Sequence, residues 1–245
     1  MKKATLTVYL TLLTLLTFCQ TMHPMKDLID TTDPGWPVFQ EILASATNPV
    51  EVLPRDTAKA NDAVFKMQFS TKTTMASVAY MTGGVLVDSG WIRILGSGSP
   101  RLPRSLPDWN KGKSIREFGD RAGFYLVADD VMGGFFAMNW GALGDELGKV
   151  YYLAPDDLKW ASTGQNYAEF LVFCFTGDLK KFYEGYHWAG WQKEANTVGG
   201  DKAFHFMPPL WSKEGKDIDK DSRSAVPVEE LYNYALSAQK QLNVQ

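Results

Sequence analysis

The sequence predicts an α+β fold, with a central antiparallel sheet of about six strands flanked by N-terminal and C-terminal helices. Three observations carry this expectation. Segments with apolar residues at helical spacing lie towards both ends of the chain. Between them lie six short segments rich in β-branched and aromatic residues, separated by Gly, Asp and Asn. Helical segments do not alternate with these strands, so the pattern is a meander rather than a series of βαβ units.

Each element has a local reason. Asp33-Pro34 opens the first helix, as an N-cap followed by a proline suited to the first helical position. Val38, Ile42, Leu43 and Ala46 continue it until Asn48-Pro49 stops the run. A second helix is expected from about Asp56 to Met67, with Ala60, Val64 and Met67 on one face. The expected strands are 76–80, 85–87, 91–95, 124–128, 135–139 and 149–154. Thr82-Gly83-Gly84 and Asp88-Ser89-Gly90 supply hairpin punctuation, and 129–134 and 140–148 are further connections. Helices return at Tyr167–Thr176 and Asp178–Tyr186. A closing amphipathic helix runs from Val228 to about Leu242, with Pro227 at its start and Glu229 and Glu230 in its first turn, where the helix dipole favours acids. Between them, 199–224 reads as a long polar stretch around an apolar anchor at 204–211.

Composition narrows the function classes. The 245 residues are 45% hydrophobic, 13% aromatic and 22% charged, an ordinary globular profile. Length and the lack of a linker or repeat fit one α+β domain over 25–242. The 25 basic and 28 acidic residues leave a formal charge of −3, or −5 once Lys2 and Lys3 leave with a leader. A nucleic-acid cradle needs a clustered basic excess, which this balance argues against.

Residues 1–19 read as an export signal: a basic Met1-Lys2-Lys3, then an apolar stretch from Ala4 to Phe18. That stretch is short for a membrane span, which needs ~20 residues. Leu16-Thr17-Phe18-Cys19 approximates a lipobox, so Cys19 is the candidate for lipidation, although Phe18 stands where Gly, Ala or Ser is usual. The expected location is the cell envelope, as a lipoprotein or a periplasmic protein, with any membrane contact through the N-terminal anchor. A start at Met22 or Met25 would instead make the protein cytoplasmic. Cys174, the other cysteine, lies in an apolar run without a neighbouring base and reads as a buried hydrophobe.

Five features invite a chemical reading, each beside a plainer one. Gly96-Ser97-Gly98-Ser99-Pro100-Arg101 follows a strand, and Arg93, Arg101 and Arg104 lie close enough in sequence to meet an anion. The run lacks the Lys of a Walker loop and the Gly-x-Ser-x-Gly of a nucleophile elbow, and its plainer reading is a tight connection. Asp129-Asp130 could serve acid–base chemistry or a cation. Adjacent strand residues face opposite ways, however, and Asp with paired Gly is what a turn requires. Asp217, Asp219 and Asp221 open a calcium-like pattern that fails at Ser222 and Val228, so a solvated charged loop is expected. None of the three histidines has zinc-site spacing. The segment 182–191, with His187, Trp188 and Trp191, could form a recognition platform or simply core. An ion-pair expectation joins these: Arg93 or Arg101 pairs with Asp129 or Asp130, bringing the Arg-rich loop and the acidic turn to one sheet edge.

The blocks 90–99 (Gly-Trp-Ile-Arg-Ile-Leu-Gly-Ser-Gly-Ser), 127–137 (Val-Ala-Asp-Asp-Val-Met-Gly-Gly-Phe-Phe-Ala), 151–158 (Tyr-Tyr-Leu-Ala-Pro-Asp-Asp-Leu) and 223–227 (Arg-Ser-Ala-Val-Pro) resemble the bacterial DUF2625 family over about residues 25–240. More distantly, the chain is similar to the SUKH superfamily, an α+β group with many toxin-neutralising immunity proteins. The first resemblance carries no catalytic residues, and the second implies a protein partner. The expected function is therefore a non-enzymatic binding or interaction protein, immunity-like by the distant resemblance, with no cofactor and no metal. Candidate contact residues are Arg93, Ser97, Arg101, Asp129, Asp130, His187, Trp188 and Trp191. The alternative is a small envelope hydrolase or carbohydrate-active enzyme using Asp129, Asp130 or His187.

Overall fold

The computed structural model describes residues 22–243; the leader and the lipidation candidate Cys19 lie outside the described residues. The chain opens with helices α1 (Met25–Leu28) and α2 (Trp36–Ala44), strand β1 (Val50–Leu53), and helices α3 (Thr57–Met67) and α4 (Thr74–Met81). Strands β2 (Gly84–Val87) and β3 (Ile92–Leu95), helix α5 (Leu106–Asn110), and strands β4 (Phe124–Asp130), β5 (Phe135–Asn139), β6 (Val150–Leu153) and β7 (Trp160–Ser162) follow. Helices α6 (Tyr167–Thr176), α7 (Leu179–Phe182) and α8 (Trp191–Thr197), strands β8 (Lys202–Met207) and β9 (Ser222–Pro227), and helix α9 (Val228–Leu242) complete it.

The first seven strands form one antiparallel sheet in sequence order, each paired with the next. Strands β8 and β9 form a separate hairpin. The α+β class and the meander therefore stand, with seven strands where about six were expected. Strands β2, β3, β4 and β5 are buried along almost their whole length. A sheet covered on both faces reads as continuous apolar runs rather than alternation. Asn110, wholly buried, makes up for a missing strand neighbour: its amide donates to the carbonyls of Leu106 and Leu126 and accepts from Leu126 N–H.

Several expectations need correction. Residues 76–80 are not a strand but the middle of α4, whose start the Thr73 hydroxyl caps by accepting from Ala76 N–H at 3.2 Å. Met75 to Ala79 are all buried, and a short, fully apolar run does not reveal its own period. The first long helix begins at Trp36, with Gly35 as its cap and Pro37 in its first turn. Asp33 instead donates its N–H to the Asp30 carboxylate at 2.8 Å. The second helix lies where it was expected, as α3, and Asp56 caps it by accepting from the N–H groups of Ala58 and Lys59. Strands β1 and β7 occupy the two sheet edges and are too short to show alternation. The hairpin β8–β9 lies within the stretch read as polar; its strands are joined by residues 208–221, not by a two-residue turn that would announce it.

The hairpin is tied to the sheet by backbone as well as packing. Phe204 N–H donates to Val131 O at 2.7 Å, and Gly200 N–H to Arg101 O at 3.1 Å. Ala203, Phe204, Phe206 and Leu210 enter the same apolar cluster as the sheet, and α9 follows directly from β9 to pack Val228, Leu231, Tyr232 and Ala235 into it.

Candidate functional site

Strands β3 and β4 are direct antiparallel neighbours, with Arg93 opposite Asp129 and Ile92 opposite Asp130. Adjacent antiparallel strands set the end of one beside the start of the other, so the Gly96–Arg101 loop and the Asp129–Gly134 turn leave from opposite ends of the pair. The expected shared edge is thus corrected, while the ion pair within it is present. Arg93 Nε donates to Asp129 Oδ1 at 2.6 Å, and Arg104 Nη1 donates to Asp129 Oδ2 at 2.6 Å. Asp129 is fully buried and Arg93 is 1% exposed.

Neither guanidinium is free for a ligand. Arg93 also donates to the carbonyls of Asp130 (2.9 Å) and Lys202, and Arg104 donates from Nε and Nη2 to the carbonyl of Gly200 at 3.0 and 2.7 Å. One buried carboxylate therefore holds two arginines, which in turn hold the segment leading into β8. Burial pulls the Arg93 pKa down, and the Asp129 charge opposes that. Such a cluster contributes little net stability compared with a well-packed apolar one, but removing a member strands the others without charge compensation.

Asp130 faces elsewhere, as alternation along a strand requires. Its Oδ1 accepts from the N–H groups of Met132 and Gly134, both at 2.9 Å, which builds the turn. Its Oδ2 accepts from the hydroxyls of Tyr152 (2.7 Å) and Tyr183 (3.1 Å). Burial raises the Asp130 pKa despite these four donors, and raises both tyrosines well above their ordinary range. The two acids share no proton and no pocket.

The remaining sequence candidates lie apart. Ser97 is buried and donates its hydroxyl to Thr82 O at 2.8 Å, so its loop serves as a tight connection. Arg101 pairs on the surface with Glu51, not with either buried acid. His187 and Trp191 stack with centroids 4.2 Å apart and planes 11° apart, against the edge of the fully buried Trp91. Trp188, also buried, donates Nε1 to Glu194 at 3.0 Å, and Arg223 lies over its ring while forking onto that carboxylate. Tyr183 and Trp188 join the main apolar core, while His187 and Trp191 sit at its edge. His187 is only partly covered; burial, then the nearby Lys180 charge, lower its pKa. Cys174 is buried and free, with burial raising its thiol pKa. Among the described residues there is no group of three or more His, Cys, Asp or Glu that could hold a metal, and no helix long and apolar enough to cross a membrane.

An opening with a largely apolar lining lies where β8, the Pro208–Trp211 corner and α9 meet. Phe206, Pro209, Leu210, Trp211, Leu231 and Ala235 are among its lining residues, with His205 and Tyr234 meeting edge to face at 5.3 Å. Met207, two residues after His205 on β8, is 54% exposed and Tyr234 is 38% exposed. Trp211 Nε1 is buried there without a hydrogen-bond partner.

The family model described as "protein of unknown function DUF2625" matches residues 25–231. The chain belongs to the DUF2625 family. An uncharacterized protein of Haemophilus influenzae (strain ATCC 51907 / DSM 11121 / KW20 / Rd) is 39% identical over 211 residues, 86% of this chain and 92% of that protein. The uncharacterized protein YbfG of Escherichia coli (strain K12) is 40% identical over 213 residues, 86% of this chain and 94% of that one. No solved structure matches. DUF2625 thus accounts for the main resemblance, and the distant SUKH likeness gains no support from these comparisons. The DUF2625 match includes the whole Arg93–Asp129–Arg104 cluster and the hairpin it secures. Sequence reasoning named Arg104 only as a neighbour, included Tyr183 only in an aromatic segment, and missed Tyr152, Met207, Trp211 and Tyr234. The places of Met207, Trp211 and Tyr234 depend on a hairpin that no local pattern announced, while Tyr152 and Tyr183 reach Asp130 from β6 and the end of α7.

Proposed function

We propose that this protein works by binding a protein partner rather than by catalysis, and that the partner docks at the cleft between the β8–β9 hairpin and α9. The observation carrying this reading is a division of labour. The charged groups that could do chemistry, Arg93, Arg104, Asp129 and Asp130, are spent on internal hydrogen bonds. Large apolar side chains, Met207 and Tyr234, stand exposed beside a cleft whose lining has no formally charged residue. Exposed aromatics and methionine around an apolar pocket are the surface chemistry that interface cores use. The cleft's cavity volume is about 40 Å³, which suits an apolar side chain tip from a partner rather than a substrate.

A photo-crosslinking amino acid at position 207 or 234 tests this reading in cells. A discrete adduct at both positions, absent with the same probe at exposed Phe65 on α3, supports it. No adduct, or the same adducts at all three positions, contradicts it. An immunity-like role is the narrower version, in which the captured partner is a toxin. The leader adds a place: we infer acylation at Cys19 and residence at the envelope, for which the order of basic, apolar and Cys segments is the support. Mass spectrometry of membrane-extracted protein should find an acylated Cys19, and a cytosolic product starting at Met22 or Met25 would overturn that inference.

A further inference from the structure

A second opening lies at the other end of α9, away from the hairpin. It is a groove of about 680 Å³ between the last turns of α9, the loop after β5 and the edge strand β7. Leu143, Trp160, Leu236, Gln239, Lys240 and Asn243 line it. The helix residues Leu236, Gln239 and Lys240 are spaced i, i+3 and i+4, so they form one face, and Asn243, the left-handed cap that ends α9, closes it. That face changes character along its length: Leu236 continues the apolar stripe of α9, and the next turns offer two amides and an ammonium.

We propose that this groove binds a saccharide bearing a carboxylate. A pyranose ring has an apolar C–H face and a rim of hydroxyls. The lining matches both: Trp160 is partly exposed and flanked by Leu143 and Leu236, and the planar amides of Gln239 and Asn243 each carry donors and an acceptor. Gln239 is already oriented, because its Nε2 donates to Leu158 O at 2.8 Å, leaving Oε1 for a hydroxyl. Trp160 is steadied by Phe124, whose ring centroid lies 6.2 Å away. Among the described residues Lys240 is the single charged group in the lining and forms no ion pair, and this selects an acidic sugar over a neutral one. An apolar partner helix fits less well, since it would bury Gln239, Lys240 and Asn243 against groups that cannot hydrogen-bond them.

The test uses the full chain with digalacturonate and cellobiose as probes, read by saturation-transfer NMR and calorimetry. The expected result is binding of digalacturonate at least about fivefold tighter than cellobiose. Trp160→Ala should weaken both by about tenfold or more. Lys240→Gln should remove the preference for the acidic probe while leaving cellobiose binding as it was. Thermal unfolding of each variant identifies a loss caused by misfolding, and Gln239→Ala, at a partly exposed helix position, gives an independent reading of the same site. Failure of both probes to bind at about 10 mM would overturn the proposal. So would binding indifferent to Trp160→Ala and Gln239→Ala, and equal affinity for the two probes would overturn its acidic selectivity. Neither outcome bears on the hairpin cleft, which shares no lining residue with this groove.

Discussion

Arg93 and Asp129 face one another across adjacent antiparallel strands, and the carboxylate between Arg93 and Arg104 is wholly buried. The geometry gives the pair a mechanical role. Arg93 reaches Lys202 O, Arg104 reaches Gly200 O, and through them the central sheet holds the segment entering β8. The hairpin forms one wall of the apolar cleft, so the charge cluster supports the proposed recognition surface without touching a partner.

Replacing Asp129 by Asn should therefore cost about 3–5 kcal/mol of unfolding free energy, because two largely buried guanidinium groups lose their counter-charge. The same change at Asp217 or Asp219, in the loop between β8 and β9, should stay within about 0.5 kcal/mol. Urea unfolding of the three variants checks this, and comparable losses at all three would refute the special status of Asp129.

Gly134 closes the turn beneath Asp130. A Cβ at this position would collide with the Tyr152 hydroxyl and the Asp130 carboxylate, two partners already hydrogen-bonded to each other. Gly134→Ala should destabilise the protein by about 1–3 kcal/mol through overpacking. A thermal midpoint equal to that of the native protein would show that the tyrosine–aspartate contact yields freely.

His187 makes a pH prediction. Burial and the Lys180 charge hold its pKa below the ordinary 6.5, so folding favours the neutral ring. Its contribution is fully present above about pH 6.5 and is lost as pH falls through the lower, folded-state value. His187→Phe keeps a ring against Trp91 and Trp191 and has no proton to gain. The difference in melting temperature between native and variant protein should shift in favour of the variant from pH 7.5 towards pH 5. Parallel curves would contradict the assignment.

Strong local signals were legible in the sequence, and long-range ones were not. The spans of α3, α6 and α9 follow from propensity and period over a few residues. Strands β2 to β6 followed from β-branched runs bounded by glycine and aspartate. The Arg93–Asp129 pair was readable as opposite charges on two strands, but whether those strands were neighbours was not, and this decided where the loop and turn would lie. The hairpin escaped because its partners stand across residues 208–221, and β8 shows its alternation only through buried Ala203, Phe204 and Phe206. Trp160 and Gln239 are distant in sequence and meet in one groove only because β7 ends the sheet beside the closing helix.

The account rests on separating what holds the fold from what meets a partner, and one photo-crosslinking experiment tests that separation. With the probe at Met207, adduct yield is measured per folded molecule in three backgrounds: native, Asp129→Asn and Tyr234→Ser. The expected result is a yield close to native in Asp129→Asn at a temperature where it stays folded, with a lower melting temperature. Tyr234→Ser should melt within a few degrees of native protein and lose most of the adduct. The opposite pattern, a lost adduct in folded Asp129→Asn and a native yield in Tyr234→Ser, would show that the buried cluster contacts the partner and that the cleft does not.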